Sequence, residues 1–157
     1  MSSRHDRNNK DSIKVLHIDD KACFLQTLKF EILGLSSRID ITGATSGKAG
    51  LAEIDAGKRY HVIIIDYMLP DMTGPQFLQS LKHRGLTKVA IGLTAHDSRL
   101  EEMCQSCALA AYSKTKLDEF LGFFENHIRA LDERHLPPTG RLAERETEKL
   151  FISKEEV

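Results

Sequence analysis

VIIIDYMLPDMTG, residues 62–74, is the stretch on which the fold turns. Its first four residues form a short run that is apolar on both alternating faces and rich in β-branched side chains. A central strand covered by helices on both sides has this pattern. Asp66 then stands at the strand's carboxyl end. A turn-rich segment follows over 67–74, and Pro75 opens a helix predicted to reach about His83, because proline is tolerated in a first helical turn.

The same alternation extends in both directions from this strand. Upstream, a strand over 13–19 precedes a helix over 22–33, with Phe24, Leu25, Leu28 and Ile32 facing inward and Gly34 as its stop. A second strand over 39–44 leads to a helix over 47–56, with Ser46 as N-cap and Gly57 as terminator. Downstream, strands are predicted over 89–94 and, more weakly, 109–113, with helices over 98–107 and 116–131. Leu117, Phe120, Leu121, Phe124, Ile128 and Leu131 form the last helix's inward stripe. Five strand–helix pairs predict an α/β fold, a doubly wound five-stranded parallel sheet with crossover helices. Pro137, Pro138 and Gly140 break the pattern. The expected organisation is a disordered tail over 1–11, one domain over 12–132, and a linker with a charged tail over 133–157.

At 157 residues the chain suits one domain with a real core, without an output domain or internal repeat. Its formal net charge of −1, with mixed charges, argues against an electrostatic nucleic-acid or membrane surface. No apolar run approaches the roughly 20 residues that cross a bilayer. The polar start lacks the apolar stretch of a signal peptide. Cys23, Cys104 and Cys107 are an odd set, which fits reduced thiols and a cytoplasmic location.

Ligand sites in open parallel sheets form beyond the carboxyl ends of the strands, where the strand order switches. The first strand here ends in Asp19 and Asp20, the third in Asp66 and the fourth in Thr94, and Lys114 follows the fifth. Taken alone, the Asp19–Asp20 pair reads equally well as a solvated turn, and Thr94 as an ordinary strand residue. Their joint position at one sheet edge is what gives them weight. Clustered carboxylates raise one another's pKa values unless a cation is present. The hard oxygen donors favour magnesium, or manganese, over zinc. Such an ion would neutralise an incoming phosphoryl group while the Asp66 carboxylate attacks phosphorus to form an acyl phosphate.

HIDD at 17–20, VIIIDYMLPDMTG at 62–74, IGLTA at 91–95 and the Lys114 segment together resemble the receiver domains of response regulators, over roughly 12–132. The resemblance is to the single-domain type. It implies a flavodoxin-like (βα)5 sheet of order 2-1-3-4-5, with Asp66 as phosphoacceptor. It also implies Asp20 as a direct metal ligand, Asp19 as a second acid acting partly through water, and the backbone carbonyl of Met68 as a further ligand. Thr94 would turn toward the phosphoryl group, Lys114 would pair with it, and Pro70 and Gly74 would shape the loop. The implied donor is a phosphohistidine on a sensor histidine kinase or phosphotransfer protein. The implied output is a downstream protein effector, or a self-dimer through the fourth helix, fifth strand and fifth helix, with no direct nucleic-acid binding and no membrane insertion. Such a domain assists its own phosphorylation and dephosphorylation but is not a kinase.

The chain departs from that family in several places. Thr115 follows Lys114 where receivers usually carry proline after a cis peptide, and a cis bond before threonine would cost about 3–4 kcal/mol, so a differently shaped loop is expected. Lys114 is favoured over Lys116 because it lies seven positions after Cys107, which occupies the glycine of the family's GAxxYxxK pattern. The same register puts Ala111 at the usual aromatic position and Tyr112 on the opposite strand face. Activation is therefore expected to move the fourth strand, its helix and the adjoining loop without an aromatic rotamer change. Met68 and His96, two residues after the acceptor and the threonine, are placed to control the hydrolytic water. The apolar Met68 predicts a persistent phosphoryl state, which the polar His96 opposes.

The remaining features have simple readings. Cys104 and Cys107 are expected to pack a helix end, and His17 to be a partly buried structural residue. Phe123, about 110° from the inward stripe, is expected to be exposed, either as a lone aromatic or as part of a partner surface. Two other functions compete with the switch. One is a phosphorylation-independent adapter; the other is an aspartate-based phosphatase, disfavoured because Met68 stands where its second acid belongs and no cap segment encloses a substrate. No glycine-rich phosphate loop supports a nucleotide site.

Overall fold

The β-branched runs become strands and the helically spaced segments become helices, in strict alternation. The computed structural model describes residues 12–86, 89–107 and 109–134. In chain order its elements are β1 (Ile13–Ile18), α1 (Ala22–Leu33), β2 (Ile39–Ala44), α2 (Gly47–Asp55), β3 (Val62–Ile65) and α3 (Gly74–His83). They continue with β4 (Ala90–Thr94), α4 (Leu100–Ser106), β5 (Ala110–Ser113) and α5 (Leu117–Arg134). The strands form one sheet of order β2-β1-β3-β4-β5, and every pairing is parallel. The doubly wound α/β fold with order 2-1-3-4-5 is therefore the fold observed.

β3 shows why an unbroken apolar run suits a central strand. Val62 and Ile64 enter a core with Leu28 and Ile32 of α1 and Phe120, Phe124 and Ile128 of α5. Ile63 and Ile65 face the opposite way, into a core with Phe77, Leu78 and Leu81 of α3 and Met103 of α4. Both faces are dry, and each buried isoleucine contributes roughly 1.5–3 kcal/mol of apolar burial.

Local signals fix most element ends. Ser46 caps α2 by accepting the Ala49 N–H at 3.1 Å, and Gly57 lies beyond it at φ +89°. Thr73 and Gln76 form a reciprocal capping box at the start of α3, where Pro75 fits the first turn. Pro75 is legible in the sequence; the box depends on a reciprocal contact that the sequence alone does not single out.

Several boundaries differ from expectation. β1 stops at Ile18, which leaves Asp19 just beyond the strand, and β4 and β5 each begin one residue late. The helix expected over 98–107 begins instead with a 3-10 turn, Asp97–Arg99, and α4 proper ends at Ser106. Cys107 lies past it in extended backbone. The helix expected from 116 is preceded by a second 3-10 turn, Lys114–Lys116, and continues to Arg134. The peptide joining Lys114 to Thr115 is trans. Phe123 is only partly exposed, because it packs against Tyr112 with ring centroids 5.7 Å apart and stacks on His127. The expected tails, with Pro137, Pro138 and Gly140, lie outside the described residues. Among the described residues no helix is long and apolar enough to cross a membrane.

Candidate functional site

Strand register brings the acids together. Ile18 at the end of β1 pairs with Ile65 at the end of β3, so the next residues, Asp19 and Asp66, emerge side by side at the sheet edge. The Asp66 N–H donates to the carbonyl of Ile18 at 3.1 Å, and the Asp19 N–H to that of Ala44 at 3.0 Å. These ladder-end bonds hold both backbones in place. Asp19 is fully buried and Asp66 is 5% exposed, while Asp20 is open to solvent. One carboxylate oxygen from each of the three lies within 4.8 Å of the others.

Lys114 bridges the two buried acids. Its Nζ is 2.5 Å from Asp19 Oδ2 and 3.5 Å from Asp66 Oδ2, and it sits 4.3 Å above the centroid of the Phe24 ring. Lys116 is exposed, and Lys114 is the lysine that makes this contact. The remaining oxygens have backbone donors: Lys21 N–H reaches Asp19 Oδ1 and Tyr67 N–H reaches Asp66 Oδ1, both at 2.9 Å.

Burial, opposed by the ammonium of Lys114 and reinforced by the charge on Asp19, holds the Asp66 carboxyl above the usual carboxylate range. Three carboxylates face one ammonium here, so two negative charges stay unbalanced when all are ionised. The donors are all oxygen, and one side of the cluster is open through Asp20. This set fits a hard divalent cation held by Asp19, Asp20 and Asp66.

The other predicted residues lie at the end of β4 and in the loop after β3. Thr94, fully buried at the end of β4, has its Oγ1 engaged by the His96 N–H at 3.0 Å. Met68 is 50% exposed, two residues beyond Asp66, and forms an isolated bridge with Thr73 across the loop. Gly74 closes that loop by donating to the carbonyl of Tyr67 at 2.6 Å. A Cβ at position 74 would stand 2.6 Å from the Asp66 carbonyl oxygen, so glycine is required by close backbone approach. His17 is more buried than expected. It lies edge-on to Phe24, and burial, helped by Lys114, lowers its pKa to about 3, so it stays neutral. Cys107 is buried at the helix end as expected, with its thiol pushed up to about 12, chiefly by desolvation, whereas Cys104 is exposed and departs from the expected packing.

The sequence reading missed three sets of supporting residues. Asp71 accepts the N–H groups of Gly47 and Lys48 at 2.9 and 2.8 Å and so ties the loop after Asp66 to the start of α2. Tyr67 donates its hydroxyl to Glu102 on α4 at 2.9 Å and lies under the guanidinium of Arg99. Asp97, Ser113 and Thr115 are joined through hydroxyl bonds beside Lys114. Asp71 and Tyr67 had a usable signal in their nearness to Asp66, whereas Glu102 and Asp97 had none.

Comparison with known proteins places these features in context. The family model of the response regulator receiver domain matches residues 15–115. The transcriptional regulatory protein CiaR of Streptococcus pneumoniae (strain ATCC BAA-255 / R6) is 31% identical over 130 residues, covering 78% of this chain and 52% of that protein. The chain thus spans about half the length of this curated relative. Among solved structures, the receiver domain of Francisella response regulator 1452 is 30% identical with a TM-score of 0.62, covering 79% of this chain and 99% of that one. The signal receiver domain of the NarL response regulator from Mycobacterium tuberculosis is 27% identical with a TM-score of 0.57, covering 66% and 85% respectively.

Proposed function

Because the chain belongs to the response regulator receiver family, the signalling domains of two-component systems, we propose that Asp66 accepts a phosphoryl group from a phosphohistidine and thereby alters a partner-binding surface. The observation that carries this reading is the placement of Asp66 beside Asp19 and Asp20, with Lys114 reaching both buried acids.

In the proposed reaction an Asp66 carboxylate oxygen attacks phosphorus, the donor's P–N bond breaks, and the imidazole nitrogen leaves with the electron pair. Lys114 exchanges part of its contact with Asp19 for the new phosphoryl oxygens. Thr94 gives up the His96 N–H and turns its hydroxyl toward the same group. Asp19, Asp20, Asp66 and the backbone carbonyl of Met68 are the groups that would hold Mg2+, or Mn2+. When bound, that ion supplies charge neutralisation for the transferring phosphoryl group. The half-exposed Met68 side chain, two residues beyond Asp66, would screen the product from water.

The donor in this reading is a sensor histidine kinase or a phosphotransfer protein in the cytoplasm. The recipient of the signal is a protein effector or a second copy of the chain, bound through α4, β5 and α5. The domain acts on its own aspartate and turns over no independent substrate. The adapter reading rests on Ala111 and Thr115, where the usual aromatic and proline are replaced.

Incubation with acetyl phosphate and Mg2+ separates the two readings. The wild-type protein is expected to gain one phosphoryl group by intact mass, and to lose that gain with EDTA or in Asp66→Asn. No labelling of the folded wild type, or undiminished labelling of Asp66→Asn, would reject the switch, and the former result would favour the adapter.

A further inference from the structure

We propose that Asp97, Ser113 and Thr115 form a latch that joins the loop after Thr94 to the loop bearing Lys114, so that the two side chains that grip the phosphoryl group shift together. This rests on the reading of Asp66 as phosphoacceptor and adds a route of coupling within that site.

The latch begins where the last two strands part. Thr94 and Ser113 are partners at the ends of β4 and β5, and beyond them the chain enters the two 3-10 turns. Ser113 is buried, and its hydroxyl donates to Asp97 Oδ1 at 2.5 Å. Having given its only proton to that carboxylate, Ser113 Oγ is left as an acceptor. It receives the Thr115 N–H at 3.2 Å and, at 2.7 Å, the Thr115 hydroxyl, which must be the donor in that pair. Thr115 therefore supplies an N–H and an O–H where a proline would offer neither. The direction of bonding is Thr115 to Ser113 to Asp97, with Lys114 in the loop between the two hydroxyl residues.

The other end of the latch touches Thr94. The His96 N–H that engages Thr94 Oγ1 lies one residue before Asp97. Where Thr94 rotates about χ1 to carry its hydroxyl toward a phosphoryl group, Oγ1 moves away from that N–H and frees the backbone carrying Asp97. Ser113 and the adjacent Lys114 are then drawn along. No aromatic side chain at position 111 can provide this link. Tyr112 faces the other core, 6.2 Å from Phe120 and 5.7 Å from Phe123 by ring centroids. The hydroxyl chain thus provides a connection between β4 and β5 on the side where Ala111 supplies none.

Asp97→Ala, Ser113→Ala and their double variant test the latch in the full chain through two readouts. The first is the initial rate of Mg2+-dependent phosphorylation by acetyl phosphate, and the second is amide exchange over 95–99 and 114–116 in the unphosphorylated protein. Each single change is expected to slow phosphorylation roughly five-fold, the scale of one lost hydrogen bond, and to quicken exchange in both loops. The double variant is expected to match the stronger single one, because both act through one bond. Thr115→Val should weaken the latch and Thr115→Ser should keep it. Effects that add in the double variant, or exchange that quickens only in the loop carrying the substitution, would overturn the proposal. Thermal melts report whether Ser113→Ala remains folded; if it does not, the exposed Asp97 carries the test through Asp97→Ala. A wild type that takes no phosphoryl group would sink the proposed function, while the exchange data would still decide the latch.

Discussion

Asp66 is the residue at which burial and charge work against each other. Desolvation and Asp19 raise its carboxyl above the usual range, and Lys114 with the Tyr67 N–H only partly offset them. The folded protein therefore holds this proton to a higher pH than the unfolded chain does. Stability is lost as pH rises from the ordinary carboxylate range through the raised folded value, and the full penalty remains above it. Asp66→Asn is expected to raise the melting temperature of the metal-free protein at pH 7 and to change it little at pH 3, where the acid is already protonated. Mg2+ should reverse the order by stabilising the wild type by about 2.7 kcal/mol at one hundred times its dissociation constant, and the variant by less. Melts in EDTA and in Mg2+ check both parts, and a variant less stable than the wild type in EDTA at pH 7 would contradict them. Asp19, Asp20, Asp66, Thr94 and Lys114 were legible in the sequence because each lies at or just beyond the end of a strand, and parallel register places such residues along one edge. Asp97 with Ser113 was not legible, since its bond spans 16 positions and depends on how two loops turn.

Among the elements, α4 starts two residues later and ends one residue earlier than expected, and its packing explains why. Its seven residues carry one fully buried side chain, Met103, while Cys107 is buried just past its end. Both dock against a strand position without a side chain. A Cβ on Gly92 would stand 2.8 Å from Met103 Cε and 3.1 Å from both Cys107 Sγ and the Ala111 Cβ. Periodicity reads apolar spacing along the chain, but it does not register a missing side chain on the opposing strand or a loop that tightens into a 3-10 turn. By contrast, α1 and α2 were readable because Gly34 and Ser46 punctuate them locally. Gly92→Ala is expected to push α4 off the sheet and cost about 1–3 kcal/mol, toward the lower end because methionine can rearrange. Chemical denaturation measures that cost, and wild-type stability would show that α4 is not held by this close approach.

The molecule as a whole divides into a part fastened by many large buried side chains and a part where polar bonds supplement one buried helix residue, Met103. β1 and β3 lie inside the sheet between two dry cores, and α1 and α5 are fastened by Leu28, Ile32, Phe120, Phe124 and Ile128. α4 is held by Met103 and the adjoining Cys107, by the Cys104 thiol on the Ala111 carbonyl, by the Tyr67–Glu102 bond, and by the Asp97–Ser113 bond at the turn before it. The two side-chain bonds to Glu102 and from Asp97 begin next to groups that a phosphoryl group on Asp66 would disturb, since Tyr67 N–H binds Asp66 Oδ1 and His96 N–H binds Thr94. The cores are close-packed and resist small displacements, so the response should run where polar bonds, not buried side chains, hold the structure. Amide exchange with and without beryllofluoride and Mg2+, a non-hydrolysing stand-in for the phosphoryl group, is expected to differ over 95–107 and 110–116. Exchange in β1, β3 and α1 should stay the same apart from the residues that contact the site. If self-association follows, it should bury α4, β5 and the adjoining side of α5 around Phe123. Changes of equal size in α1 and β2 would mean instead that the whole sheet responds, and that α4 is not the element through which the signal leaves.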